Sequence, residues 1–221
     1  MFGVAIAATV LALPGSVNAG QIHVQQSGYT VNVSYFDFGS RAEDNTVVAK
    51  VIMGGYGALV TDSTATITTI SPAEASPWNQ PCTLLDEHRA LCVNPTPAPE
   101  ATGGFPEAFL DMALGAGDNS FELDPDTIPP KLFVTAAEGD DVISIDNAAE
   151  AEVSDFDGSN TIRVGRTQRP AYVIGGQGPD RIDVKNGTGG DIVACSWRDD
   201  AFREGDRVRA DRDDAIDADC R

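Results

Sequence analysis

Carboxylates return at one fixed place in this chain. Asp141 stands two residues after Gly139 and Asp180 two after Gly178, while Asn119 and Asn160 hold the same relation to Gly117 and Gly158. More acids crowd the same short segments: Asp118, Glu138, Asp140, Asp155 and Asp157. Two kinds of chemistry suit side-chain oxygens clustered in this way. Grouped in space they attract divalent cations, whose ligands are hard oxygens. Taken singly, Asp and Asn cap tight turns. The residue types leave both uses open, and which one operates depends on the elements that carry them.

Those elements follow from a repeat of the form Gly-x-(Asp/Asn)-x-apolar-x-apolar. It reads Gly117 to Leu123, Gly139 to Ile145, Gly158 to Val164 and Gly178 to Val184, with the glycines 22, 19 and 20 residues apart. A fixed period near ~20 residues marks a solenoid. Alternation at the end of each repeat sends Phe121/Leu123, Ile143/Ile145, Ile162/Val164 and Ile182/Val184 inward. Glu122, Ser144, Arg163 and Asp183 then face water. Glycine permits positive φ at a sharp corner. Met112, Val134, Val153 and Val173 each lie five residues before a motif glycine, which predicts a second short strand per coil. The predicted fold is all-β, a β-helix or β-roll-like solenoid of about 20 residues per coil behind a strand-rich N-terminal segment. Stacked coils would set the acidic corners above one another as an acidic edge.

The fourth repeat carries a sharper signature. Gly175-Gly176-Gln177-Gly178-Pro179-Asp180-Arg181-Ile182-Asp183 fits the nonapeptide GGxGxDxUx, with U a large apolar residue. It resembles the RTX (haemolysin-type) calcium-binding repeat. The resemblance implies that Ca²⁺ sits between stacked loops, held by backbone carbonyls and by the aspartate. Gly175, Gly176, Gly178 and Asp180 match the pattern fully, and Asp141, Asp140, Asp157 and Asp118 are the further candidate ligands in the neighbouring corners. The other loops depart from it. They read Leu114, Gly115, Gly117, Asn119; Ala136, Ala137, Gly139, Asp141; and Asp155, Phe156, Gly158, Asn160 at the corresponding positions. The general layout of residues 28–220 is similar to secreted RTX-like proteins of actinobacterial type, with an N-terminal Cys pair, degenerate coils and a Cys-closed acidic tail.

Composition narrows the partners. Acidic residues outnumber basic ones 34 to 15, giving a formal charge of −19, which repels nucleic acid and anionic membranes. Bound Ca²⁺ would relieve that self-repulsion. Val4 to Leu13 is an apolar run too short to span a bilayer, and Val17-Asn18-Ala19 offers a small-residue cleavage site. No Lys or Arg precedes that run. Residues 1–19 are therefore expected to be a signal peptide, and the mature chain to be secreted, with the cell surface as a possible final location and no membrane span. Four cysteines in an exported chain favour disulfides, and proximity suggests Cys82–Cys92 and Cys195–Cys220, one of three connectivities.

The expected organisation is a signal peptide (1–19), an N-terminal β-rich segment (20–94), a Pro/Gly connection (95–108), the degenerate solenoid (109–194) and a disulfide-closed capping tail (195–221). Whether 20–94 is a separate domain or part of one solenoid is open, although Asp44 to Ala49 reads as a degenerate repeat. Open solenoid ends need capping, and the charged tail would supply it.

Catalytic signatures are sparse. His23 is expected to alternate outward from Ile22-His23-Val24, and His88 lies within the Cys82–Cys92 loop; neither has a nucleophile context. The expected function is an exported, non-catalytic, Ca²⁺-stabilised solenoid. The alternatives are a Ca²⁺-dependent polysaccharide lyase using Arg163, Arg166, Arg169 or Arg181, and a carbohydrate-binding or adhesive module. Trp78 and Trp197 are the only tryptophans available for sugar stacking, and packing suits Trp197 better.

Overall fold

The computed structural model describes residues 19–27, 30–37, 44–52, 56–70, 79–93, 108–196 and 205–220. Among those residues it is all-β, with 55% in strands and 2% helical. The leading strands are β1 (Ala19–Ser27), β2 (Thr30–Asp37), β3 (Thr46–Ile52), β4 (Gly57–Asp62), β5 (Thr66–Thr69), β6 (Asn79–Pro81), β7 (Thr83–Asp86) and β8 (Arg89–Val93). The coils follow as β9 (Phe109–Ala113), β10 (Ser120–Leu123), β11 (Lys131–Thr135), β12 (Val142–Ile145), β13 (Glu150–Ser154) and β14 (Thr161–Val164). The last strands are β15 (Tyr172–Ile174), β16 (Arg181–Asp183), β17 (Ile192–Ala194), β18 (Arg207–Arg209) and β19 (Ala215–Ile216), before a 3-10 turn at Ala218–Cys220.

Each coil contributes one strand to each of two sheets. One sheet runs β19-β17-β15-β13-β11-β9-β2-β1-β5, with β6 also on β1, and the other runs β18-β16-β14-β12-β10-β3-β4-β8-β7. The result is a parallel solenoid of about five turns, roughly 22 residues per turn. The strand-rich N-terminal segment enters the same sheets. β2 pairs in parallel with β9, and β3 with β10, so the Asp44 to Ala49 stretch is a coil whose neighbour in the stack lies 74 residues later, Val47 facing Phe121. The antiparallel strands β1, β4, β7 and β8 extend the two sheets at that end and blunt the stack.

Period-two alternation explains the core. Val47, Phe121, Ile143, Ile162 and Ile182 form one buried column, and Tyr35, Met112, Val134, Val153, Val173 and Val193 form another in the facing sheet. A column of this kind buries its rungs only against adjacent coils, so stability is shared between neighbours rather than held by one repeat. Both disulfides form as the spacing suggested, Cys82–Cys92 and Cys195–Cys220. The second joins the coil strand β17 to the terminal 3-10 turn and closes the C-terminal end of the stack.

Some expectations fall on residues outside those described: the apolar run of 1–18, most of the Pro/Gly connection, Trp78 and Trp197. His23 does leave the core face, as alternation requires, but it is not exposed. Its ring lies 5.9 Å from Phe36, stacked on it, and burial lowers its pKa.

Candidate functional site

Every coil turns from the first sheet into the second through a corner that ends on the Asp or Asn of the repeat. These side chains are buried and form a continuous ladder along the stack. Asn45 N–H donates to Asn119 Oδ1 (3.0 Å), Asn119 N–H to Asp141 Oδ1 (2.7 Å), and Asp141 N–H to Asn160 Oδ1 (2.9 Å). Asn160 N–H donates to Asp180 Oδ1 (2.9 Å), and Asp180 N–H to Asp206 Oδ1 (2.9 Å). Each rung satisfies a corner amide that no strand ladder reaches, and a buried amide left bare costs about 1–3 kcal/mol.

The second side-chain atom separates Asn from Asp. In the Asn rungs it is an amide donor aimed at loop carbonyls. Asn119 Nδ2 donates to Gly117 O (2.8 Å), Asn45 Nδ2 to Leu114 O (2.9 Å), and Asn160 Nδ2 to Gly175 O (3.3 Å). In Asp141 the corresponding atom is an oxygen. Asp141 Oδ2 is fully buried and receives no donor. The side chains beside the Asp141 carboxyl are those of Asn119 and Asp155, and the latter is an acceptor unless one of the two acids holds a proton.

Asp155 itself stands where the other coils place Leu114, Ala136 and Gly175, an inward position, and it is 0% exposed. Burial raises its pKa to about 8, reinforced by the charge of Asp141 and, less strongly, of Asp180, while the N–H groups of Phe156 and Asp157 oppose the rise. Burial likewise lifts Asp141 to about 6, against the hydrogen bonds from Asn119. Three acids on successive coils, Asp141, Asp155 and Asp180, thus sit in one corner out of water. Position 175 is glycine because a Cβ there would lie 2.5 Å from Asp180 Oδ2.

The remaining predicted ligands have other roles in the corner. Asp118 and Asp140 lie one residue before the buried ladder and build an exposed one running the opposite way. Asp118 N–H donates to Asp44 Oδ1 (3.0 Å), Asp140 N–H to Asp118 Oδ1 (2.8 Å), and Ser159 N–H to Asp140 Oδ1 (2.8 Å). Asp157 is exposed and bridges Glu138 and Gln177 through its backbone. Gly178 has φ +113°, and a Cβ there would overlap the carbonyl oxygen of Gly158 in the coil before. The glycine signature is therefore explained by close stacking of corners, whether or not a cation is bound.

A calcium ion can be tested against this donor set. Among the described residues no three His, Cys, Asp or Glu side chains are arranged as a ready-made metal site. The corner nevertheless offers what Ca²⁺ accepts, buried carboxyl oxygen on Asp141 and Asp155, while the loop carbonyls of Gly117 and Gly175 already accept from the Asn119 and Asn160 amides. The predicted Asp180 and Asp141 belong to this corner, with Asp155 at its centre, while Asp118, Asp140 and Asp157 stay on its rim. Sequence reading grouped Asp155 with the other acids of the corner loops and left it out of the candidate ligands, although an acid in a column of Leu, Ala and Gly was the available signal. A second feature gave no local sign at all: Tyr35, buried in the core, donates to Asp62 Oδ2 (2.7 Å) across 27 residues.

Among the described residues no helix is long and apolar enough to cross a membrane. The chain matches no protein-family model, no curated protein and no solved structure.

Proposed function

We propose that the chain is an exported, non-catalytic β-solenoid whose buried corner takes up Ca²⁺ in exchange for a proton, locking its coils together. The observation that carries this reading is the donor-less Oδ2 of Asp141 beside the buried carboxyl of Asp155. Two charged carboxylates out of water repel each other and lose their hydration, so one must hold a proton or both must share a cation. Asp141 and Asp155 would supply the carboxyl oxygens, with backbone carbonyls completing the shell. When bound, Ca²⁺ would supply positive charge that the acidic chain lacks; the residues themselves align adjacent coils. Two disulfides suit an oxidising compartment, which supports export.

Calcium binding only to the folded stack would stabilise it by mass action, by about 2.7 kcal/mol at a hundredfold excess over Kd. For a chain of this size that is a rise in melting temperature of roughly 5–10 °C. The test is thermal unfolding by circular dichroism at neutral pH, in EDTA and in millimolar CaCl₂, for the wild type and for Asp141→Asn. Stabilisation of the wild type that D141N lacks supports the reading. Identical melting curves in both buffers would reduce the corner to a protonated structural element.

A further inference from the structure

The outer face of the second sheet carries a feature that the corner does not explain. In the register of β14, β16 and β18, Thr161, Arg181 and Arg207 form one row, and Arg163, Asp183 and Arg209 form the next. Thr161 and all four arginines are exposed. Four arginines against one aspartate give this patch a local +3, on a chain whose total is −19. Arg209 pairs with Asp183 at 3.0 Å. Among the described residues Arg163, Arg181 and Arg207 form no ion pair.

Folding alone does not favour this arrangement. Arg181 and Arg207 are directly opposite on adjacent parallel strands, about 4.8 Å apart along the hydrogen-bonding direction, and like charges so placed destabilise a sheet. With acids in more than twofold excess in the chain, intramolecular partners are abundant in composition yet are not brought to these guanidinium groups. Asp206, the acid next to Arg207, is turned to the ladder, where its Oδ1 accepts from Asp180 N–H. What remains is a sheet face presenting exposed, planar guanidinium forks in register, a group whose geometry binds carboxylates two-pronged.

We propose that this face docks a carboxylate-bearing polysaccharide, a polyuronate in chemical class. Charge complementarity requires an anion. The strongly acidic remainder of the chain repels a double helix, which carries one charge per about 1.7 Å of its axis, more than it repels a single polyuronate strand. Thr161 and, beside Arg163 on β12, Ser144 place hydroxyls in the same rows for hydrogen bonding to sugar hydroxyls.

The experiment is isothermal titration calorimetry with short, non-gelling oligouronates, in whichever of the calcium or EDTA buffers gives the full-length chain its higher melting temperature. This choice makes the outcome independent of the corner's cation. Wild-type protein is expected to bind, more weakly as salt is raised, and Arg181→Ser/Arg207→Ser to bind about tenfold more weakly or worse. The double variant relieves a like-charge contact, so its melting temperature should be unchanged or higher. Arg169→Ser, which lies outside these two rows, should bind as the wild type does. Absence of binding by the wild type, or equal binding by the double variant, overturns the proposal. So does tighter binding of a sulfated oligosaccharide or an oligonucleotide of equal charge, which would assign the face to another polyanion.

Discussion

Raising the pH should loosen this solenoid, and Asp155 should account for the part of the loss that neutralising one side chain removes. Its carboxyl is enclosed by Asp141 in the preceding coil, Asp180 in the following one, and the N–H groups of Phe156 and Asp157. In the unfolded chain it titrates at the ordinary value of 3.8; in the fold burial and the neighbouring acids push it up to about 8. A raised folded pKa means that the native state holds the proton more tightly. The contribution is fully present below about pH 4 and is lost as pH rises toward 8. At about 1.4 kcal/mol per pH unit, that interval is worth on the order of 5 kcal/mol, or roughly 10–20 °C in melting temperature. The assay is a melting series from pH 4 to pH 9 in EDTA, for the wild type and for Asp155→Asn, which keeps the shape and cannot ionise. General repulsion among the other acids gives both proteins a shared slope. The wild type should fall more steeply and D155N should be the more stable above pH 7. Parallel profiles would refute the reasoning, because the buried carboxyl would then carry no proton of consequence.

Two further predictions rest on the stacking. Gly178→Ala forces a Cβ into the Gly158 carbonyl at φ +113° and should cost about 3 kcal/mol or more, read as a lower midpoint in urea unfolding; an unchanged midpoint would mean that the corners are not so closely stacked. Removing the Cys195–Cys220 bridge by Cys195→Ser/Cys220→Ser frees a loop closed across 25 residues and should cost about 3.5 kcal/mol, with hydrogen exchange quickening first in β17 and β18.

The apolar columns were legible because alternation and period act on the same residues: Phe121, Ile143, Ile162 and Ile182 had to stack if they were to be buried at all. The coil at Asp44 to Ala49 was harder to place. Its neighbour is 74 residues downstream, beyond an antiparallel cap whose strands leave no periodic trace. The motif Asp and Asn were legible as turn residues or ligands, but not as rungs, since the backbone donor each accepts from belongs to another coil. Asp155 was legible as a corner acid but not as a buried one, because its loop context suits a solvated turn while the column it shares with Leu114, Ala136 and Gly175 points inward. The Tyr35–Asp62 pair and the covering of His23 by Phe36 are likewise products of tertiary placement.

The measurement that bears most directly on the corner is the proton count on calcium addition. Calorimetric titration of CaCl₂ into the purified chain near pH 7, repeated in two buffers of different ionisation enthalpy, gives the number of protons released per ion bound. If the Asp141–Asp155 pair exchanges its proton for the cation, binding should release about one proton, and D155N should release none. Calcium binding without proton release, or no binding to the wild type at all, would contradict it.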